Sequence, residues 1–425
     1  MPQVFLRTVT SAGNTIKFTD RVNDKARRDF IPALQSVVNA GHRNIDLDFR
    51  RSSLAYADAM LPIICMVDHR RARGDRFRVL LPETTHLRHL FLNANWAHHM
   101  DPNHPALDSE GQHHLAARRY TTHPEQQRAV SSLLGITLGS MELHGDVIKA
   151  LDWCVNEITD NVLNHAEAPA GGLVQVSTFR EQCRVQFVVA DAGRGVPTAM
   201  RERFPRIGSD RTAVSEAVKA GVTSIPEAGQ GNGLWGTLEV ARCSQGTFRI
   251  TSGKGQFSAF IDPRRGRYRQ LAREVEDFPG TVVLLELSTD VEFDFDQALN
   301  LMSAVPGPTL DVVDLEHVTA RGELLVRVAE GGIGYGTRQA GRALRQKCLN
   351  LLNAAPERRL VMDWTDVKLV TSSFADEAVG KLVAELGPTV FASRITHAGT
   401  EAAVRALLDR AVIQRLTQPD GEEPA

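Results

Sequence analysis

The apolar run VQFVVA ends at Asp191 and is followed at once by Gly193 and Gly195. A short run rich in Val and Phe that ends in a turn predicts a buried β-strand. The carboxylate at its end can accept a hydrogen bond from an exocyclic amine such as that of adenine, and the glycines let a flat ring lie against bare backbone. This stretch therefore predicts a strand and turn that hold a planar heterocycle.

A helix predicted from Asp146 to His165 precedes this strand. Glu157 and Asn161 are four residues apart, so they share one face of the helix, and His165 is one turn further along it. An amide oxygen is a suitable ligand for Mg²⁺, which completes its shell with waters and substrate phosphates. A neighbouring carboxylate can polarise an attacking water or hydroxyl. This face therefore predicts a site for a cation and a reactive water.

A second glycine-rich stretch, GQGNGLWG, places Gly229, Gly231 and Gly233 in front of a helix predicted to begin near Leu234. Free backbone N–H groups and the positive end of a helix can receive phosphates. The chain has no G-x-x-x-x-G-K-[ST] motif, which excludes a Walker-type nucleotide site. The stretch therefore predicts a phosphate site of another kind.

Taken in order, NEITDNVLNHA, DAGRGVP and GQGNGLWG resemble the motifs of the GHKL ATPase superfamily. Its Bergerat fold is shared by gyrase B, MutL, sensor histidine kinases and anti-sigma-factor kinases. The resemblance implies ATP and Mg²⁺ as ligands, with Glu157 as catalytic base, Asn161 as Mg²⁺ ligand and Asp191 as the adenine-binding residue. The other residues that it assigns to nucleotide binding are Gly193, Gly195, Gly231, Asn232, Gly233, Leu234 and Thr281.

Two further details follow from the same resemblance. Thr281, in FPGTVVLLEL, matches a threonine that supports the adenine-binding aspartate through a water. Residues 196–228 would form the lid over ATP. Its arginines could face the phosphates, although a solvated lid surface is the expected place for most of them; they are Arg201, Arg203, Arg206 and Arg211.

The chain has 425 residues, which predicts two to four domains at roughly 100 to 200 residues per domain. Three blocks with alternating strand and helix patterns cover residues 1–125, 130–290 and 308–415, and residues 416–425 read as a disordered acidic tail. In the middle block the pattern predicts one sheet with helices on one side.

The stretches GTRQAGRAL and RRLVMDWTDVKLVTSSFADEAVGKL in the third block resemble a STAS-like family of unknown function, and more distantly the STAS anti-sigma-factor antagonists. Antagonists carry a phosphorylatable serine where this chain has Ser372 and Ser373, but their Asp-Ser-Ser-Gly is here replaced by VTSSF. Two interpretations stay open. One of the serines caps the helix that follows, or one of them is a phosphoacceptor.

The first block has a similar plan, with strands NIDLDF and RFRVLLP and helices predicted from Tyr56 to Arg73 and from Thr85 to Asn95. It resembles a more divergent STAS-like module in which Ala57 and Asp58 replace the serine pair, so it would act by binding. The predicted fold class is α/β, in part α+β, with a central Bergerat-fold sandwich between two STAS-like modules.

The charges nearly balance, with 49 Lys+Arg against 51 Asp+Glu. No chain-wide field attracts nucleic acid or an anionic membrane, so such binding would need a local patch. No apolar run approaches the roughly 18 residues that span a bilayer, and no signal peptide is apparent, which predicts a cytoplasmic protein.

Five scattered cysteines predict reduced, mostly buried thiols. Eight histidines within residues 86–123 predict a solvated or partner-facing surface rather than a metal site.

We therefore expect an ATP-binding regulatory protein that hydrolyses ATP or transfers a phosphoryl group to Ser or Thr, coupled to partner switching through the STAS-like modules. The alternative is an ATP-gated conformational or dimerisation module, or a scaffold, without phosphotransfer, in bacterial stress or phage-defence signalling. The expected partners are ATP, another protein or the chain's own STAS-like modules, and a second copy of the chain. Neither a membrane nor a nucleic acid is expected.

Overall fold

A computed structural model describes residues 8–107, 116–219, 222, 233–300, 318–319, 321–329 and 337–417. Their contacts form two units, which are described separately. The first lies within residues 1–107, 115–130 and 154–304, and the second within residues 108–114, 131–153 and 305–425. Both units combine sheets with helices, which confirms the predicted α/β class.

The first unit begins with a four-stranded sheet in the order β1-β2-β3-β4. Its first two strands form an antiparallel hairpin, and the remaining pairs are parallel because helices cross between them. The STAS-like assignment of this segment stays a prediction. The elements are β1 Val9–Ala12, β2 Thr15–Val22, α1 Asp24–Asn39, β3 Asn44–Ala55, α2 Ala57–Arg71, β4 Arg76–Leu80, α3 Thr85–Asn93 and α4 Trp96–Met100.

A second sheet in this unit has the order β5-β6-β7-β9-β8 and is antiparallel throughout. Its strands are β5 Arg118–Tyr120, β6 Gly172–Phe179, β7 Arg184–Asp191, β8 Thr247–Asp262 and β9 Arg267–Ser288. The helices of this part of the chain are α5 His123–Ser140, α6 Gly145–Asn161, α7 Gly195–Arg203, α8 Asp210–Ala217, α9 Gly233–Cys243 and α10 Phe295–Asn300.

Helices of the N-terminal segment cover one face of this second sheet. Leu173, Val188 and Leu284 from its strands share one hydrophobic core with the N-terminal helices. At the same interface, Trp96 Nε1 donates a hydrogen bond of 2.8 Å to Gln175 Oε1, and both side chains are buried. The physical reason is that strands such as VQFVVA are apolar on both faces, so both faces must be covered.

Part of the histidine-rich segment is structural, which corrects the expectation of a solvated surface. His99 Nε2 lies 3.1 Å from the carbonyl oxygen of Ala117, and burial lowers the pKa of His99 to about 4. His98 Nδ1 lies 2.9 Å from the carbonyl oxygen of His104. These imidazoles therefore hold neighbouring backbone segments together. Among the described residues, no group of three or more His, Cys, Asp or Glu side chains could hold a metal ion.

The second unit contains a three-stranded parallel sheet in the order β10-β11-β12. The stretch TVFASRIT, whose Val, Phe and Ile favour a β-strand, is instead helical to Arg394, because Gly387 at φ 78° turns the chain and Pro388 begins a helix. The elements are β10 Leu324–Arg327, α11 Arg338–Ala354, β11 Leu360–Asp363, α12 Ser372–Ala375, α13 Lys381–Leu386, α14 Pro388–Arg394, β12 Ile395–Ala398 and α15 Ala402–Thr417.

Helix α11 holds the turn between α5 and α6 through one side chain. Asn350 is fully buried, and its Nδ2 donates to the carbonyl oxygens of Leu138 (2.7 Å) and Met141 (2.9 Å). Its Oδ1 accepts from the backbone N–H of Leu143 at 3.0 Å. Because carbonyls in the last turn of a helix have no partner within it, Asn350 completes the end of α5 and fixes the turn before α6.

All five cysteines are free, and Cys65, Cys154 and Cys348 are buried, which confirms the expectation of reduced, mostly buried thiols. Within the part of the chain that the structure describes, no helix combines the length and the apolar character needed to cross a membrane.

Candidate functional site

Helix α6 brings Glu157 and Asn161 to one side of the second sheet of the first unit. Burial, and then the nearby Asp160, raise the pKa of Glu157 to about 6. A carboxyl with such a pKa exchanges protons near neutral pH, as a general base requires. Asn161 is the last residue of the regular helix and lines a cavity.

The helix continues beyond Asn161 as one wider turn of π-helix, Val162–Ala166. Turns of this kind are frequent at functional sites. Arg194 holds this turn, since its Nε donates to the carbonyl oxygen of His165 at 3.0 Å and its backbone N–H to that of Ala166 at 2.8 Å. His165 lines the cavity, and burial followed by Arg194 lowers the pKa of its imidazole, which favours the neutral form.

Asp191 ends β7 and is 2% exposed. Its Oδ1 accepts a hydrogen bond of 2.8 Å from the backbone N–H of Gly193, and its carboxyl also accepts from the backbone N–H of Thr281. Burial nevertheless raises the pKa of Asp191 to about 7. Its carboxyl is therefore a buried acceptor that lines the cavity and gains from a ligand that donates a hydrogen bond.

Gly193 and Gly195 are required by the backbone around Asp191. A Cβ on Gly193 would collide with the carbonyl oxygen of Ala166 at the end of the π-turn. Gly195 has φ +74°, a conformation that other residues rarely adopt. The two glycines therefore allow the chain to turn between the π-turn and helix α7.

Sequence reasoning missed Ser252, which supports this turn from β8. Its Oγ accepts from the backbone N–H of Val196 at 2.9 Å and donates to the carbonyl oxygen of Gly280 at 2.7 Å. It also lies 3.2 Å from Oγ1 of Thr281. Thr281 thus supports Asp191 through its amide, while Ser252 ties Val196 to Gly280 and Thr281. The Ser-Gly pair at the end of the apolar stretch FRITSG was the available signal.

Gly233 and Leu234 begin helix α9 and line the same cavity. A Cβ on Gly233 would collide with Oε2 of Glu157, so the absence of a side chain lets α9 begin beside the carboxylate. Gly231 and Asn232 lie outside the described residues. Of the predicted lid, residues 196–219 and 222 are described, and Arg201 is held by an ion pair with Asp210.

The empty space of the cavity is about 820 Å³ when the open solvent at its mouth is included. It collects most of the predicted nucleotide-binding residues from separate parts of the sequence. Its apolar walls include Ile158, Val189 and Val283. The predicted residues that line it are Asn161, Asp191, Gly195, Gly233, Leu234 and Thr281.

The donor set fits a nucleotide with a hard cation. Asn161 supplies an amide oxygen on the cavity wall, and Glu157 supplies a carboxylate beside Gly233. Amide and carboxylate oxygens suit Mg²⁺, which would neutralise phosphate charge when bound. The buried Asp191 suits an exocyclic amine. The arrangement can thus bind both ends of an adenine nucleotide.

Ser372 and Ser373 belong to the second unit and do not line this cavity. The expectation that one of them caps the following helix is wrong. Thr371 is the N-cap, because its Oγ1 accepts from the backbone N–H of Phe374 at 3.2 Å. Ser372 is exposed and Ser373 is half-buried.

Comparison with known proteins identifies two segments. Residues 146–267 match the family of histidine kinase-, DNA gyrase B-, and HSP90-like ATPases, and residues 340–405 match a STAS-like domain of unknown function. None of the curated proteins compared with the chain matches it significantly. The chain therefore contains a GHKL-type ATP-binding domain and a STAS-like domain, as the motifs predicted. Thr281 lies beyond the matched segment.

Proposed function

We propose that this protein is a cytoplasmic ATP-dependent regulator that hydrolyses ATP or transfers its terminal phosphoryl group to a Ser or Thr hydroxyl. The observation that carries the proposal is the single cavity lined by Asn161, Asp191 and Gly233. Adenine would donate its amine to Asp191, while the phosphates, with Mg²⁺ on Asn161, would lie towards the start of α9.

Glu157 is the proposed general base. Its pKa of about 6 leaves most of the carboxylate ionised at neutral pH, yet keeps it basic enough to accept a proton from an attacking hydroxyl. The attacking group is water in hydrolysis. In phosphoryl transfer it is a serine hydroxyl, for which the exposed Ser372 is the better candidate within this chain.

The STAS-like domain is the proposed partner-switching element. Asn350 holds the turn from which α6 starts, and α6 is a continuous helix that ends at Asn161. A partner that binds the STAS-like domain and shifts the start of α6 would therefore change the position of Glu157 and the affinity for ATP. Because such coupling is reciprocal, bound ATP would change the affinity for that partner by the same free energy. The N-terminal segment would have a binding role.

Calorimetric titration with ATP, with and without Mg²⁺, tests the first step. We expect binding that Mg²⁺ strengthens, and no binding by Asp191→Leu. Phosphate release by wild type and by Glu157→Gln then tests turnover. Absence of ATP binding by a folded wild-type chain would contradict the proposal.

Labelled ATP separates the remaining alternatives. Incorporation of phosphate that Ser372→Ala abolishes and Ser393→Ala retains would establish transfer within the chain. Phosphate release without labelling would leave an ATPase. Binding with neither would leave an ATP-gated conformational or dimerisation module, which light scattering with a non-hydrolysable ATP analogue would reveal as a change in mass or shape.

A further inference from the structure

Strands β8 and β9 extend beyond the second sheet as a two-stranded ribbon. Strand β7 pairs with β9 only from Thr281 to Ser288. Before Thr281, β9 pairs with β8 alone, from Phe278 opposite Gly253 to Arg267 opposite Asp262. This part of β9 is therefore an edge strand, and its residues 267–277 are mostly exposed.

The tip of this ribbon is strongly basic. The segment PRRGRYRQLAR, residues 263–273, contains five arginines and no acidic residue, although the whole chain carries a formal charge of -2. All five side chains are exposed: Arg264, Arg265, Arg267, Arg269 and Arg273. The charge balance of the whole chain thus conceals one concentrated positive patch.

A buried carboxylate organises the tip. Asp262 is 8% exposed; its Oδ1 accepts from the backbone N–H of Arg264 at 2.9 Å, and its Oδ2 from Nη1 of Arg269 at 3.0 Å. These hydrogen bonds hold the turn that Gly266, at φ +59°, completes. Within the described part of the chain, the side chains of Arg264, Arg265 and Arg267 form no ion pair. Three guanidinium groups are therefore presented on an ordered turn.

The composition of the tip favours phosphodiesters over an acidic protein. Protein interfaces have an apolar centre from which charged residues are depleted. Among the described residues of this segment, Leu271 is the only large apolar side chain that is exposed. Protein–DNA interfaces are more polar and much more positive. Arginine also matches phosphate oxygens with two parallel hydrogen bonds.

The shape of the ribbon favours double-stranded DNA over RNA. The major groove of B-DNA is about 12 Å wide and admits a two-stranded β-ribbon, whereas the major groove of A-form RNA is too narrow. Arg267 and Arg269 are two residues apart on β9, so their side chains leave the same face of the strand, roughly 7 Å apart. The acidic residues Glu274, Glu276 and Asp277 confine any phosphate contact to the tip.

We propose that the tip of the β8–β9 ribbon binds the phosphodiester backbone of double-stranded DNA without sequence specificity. Arg264, Arg265, Arg267 and Arg269 make the contacts, and Asp262 positions the turn that presents them. This interaction is independent of the nucleotide cavity. A chain with nearly balanced charges needs a local basic patch to bind a polyanion, and the tip of the ribbon is such a patch.

Fluorescence anisotropy with a labelled mixed-sequence duplex, titrated at several KCl concentrations, tests this proposal. Four phosphate contacts predict a slope of log K against log salt of about -3.6, or about 150-fold weaker binding at 200 mM than at 50 mM. The triple variant Arg264→Gln, Arg265→Gln and Arg267→Gln should reduce the slope to about -1.

A matched control removes three exposed arginines elsewhere: Arg51→Gln, Arg405→Gln and Arg410→Gln. It should bind the duplex as wild type does. Equal loss in both triple variants would overturn the proposal, as would an absence of duplex binding at 50 mM KCl. Displacement of the duplex by poly-glutamate as readily as by unlabelled duplex would also overturn it in favour of an acidic protein. Unchanged urea midpoints establish that the variants are folded.

Discussion

Replacement of Asp191 by asparagine should stabilise the unliganded protein while it weakens ATP binding. Asp191 is buried, and burial raises its pKa from 3.8 to about 7. Below about pH 4 the Asp191 carboxyl is protonated in both the folded and the unfolded protein, so it does not destabilise the fold there. Between pH 4 and pH 7 it is ionised in the unfolded protein but still protonated in the folded one, because its pKa is higher in the folded state. The folded state then loses stability as the pH rises towards 7.

The size of this effect follows from the pKa shift. The rise of this pKa from 3.8 to about 7 corresponds to about 4 kcal/mol, which is the full destabilisation above pH 7. Asparagine keeps an acceptor for the N–H groups of Gly193 and Thr281 but buries an unpaired amide N–H, which costs about 1–3 kcal/mol. Asp191→Asn should therefore raise the free energy of unfolding by about 1–3 kcal/mol at pH 8, change it little at pH 5, and lower it by about 1–3 kcal/mol below about pH 4, where wild type has lost the carboxylate penalty.

Urea unfolding followed by circular dichroism at pH 5, 6, 7 and 8 measures the difference. Asp290→Asn, at an exposed position, is the control and should change stability equally little at every pH. At ATP concentrations of about 100 times Kd, wild type should gain about 2.7 kcal/mol and Asp191→Asn much less. A stability difference between wild type and Asp191→Asn that is the same at pH 5 and pH 8 would refute burial of this carboxyl as its cause.

Three further predictions concern the site and its support. Glu157→Gln should retain ATP binding but lower the rate of phosphate release by about 10²–10⁴-fold, and the rise of the wild-type rate through about pH 6 should disappear. Gly193→Ala should lower the free energy of unfolding by about 1–3 kcal/mol and weaken ATP binding in calorimetry, because the added methyl group displaces the turn that donates to Asp191. Asn350→Asp should lower the free energy of unfolding by about 2–5 kcal/mol in urea, because a carboxylate would face two buried carbonyl oxygens.

Each of these variants has a matched control. Glu181→Gln makes the same change at an exposed glutamate outside the cavity and should retain phosphate release. Gly208→Ala adds a methyl group where no atom lies within 4 Å and should behave as wild type. Asn353→Asp alters an exposed position of the same helix as Asn350 and should leave stability unchanged. A control that fails as its partner does would contradict the assigned contact.

Local sequence patterns predicted the elements that build the cavity. A four-residue spacing places Glu157 and Asn161 on one helical face, and an apolar run predicts the strand that ends at Asp191. The wide π-turn after Asn161 was not predictable from that spacing, because it depends on Arg194 donating to carbonyls that a regular helix would have paired. Ser252 was missed because its partners lie far away in the sequence.

The α/β class, the GHKL-type and STAS-like segments and the residue types of the cavity could all be inferred from local patterns, because helix and strand periods and glycine turns are local properties. Which surfaces meet became known from the folded chain. It placed the N-terminal helices over the second face of the sheet, seated His99 against Ala117, and joined Asn350 to the turn before α6. These contacts depend on burial and hydrogen-bond satisfaction between distant segments, which no short pattern records.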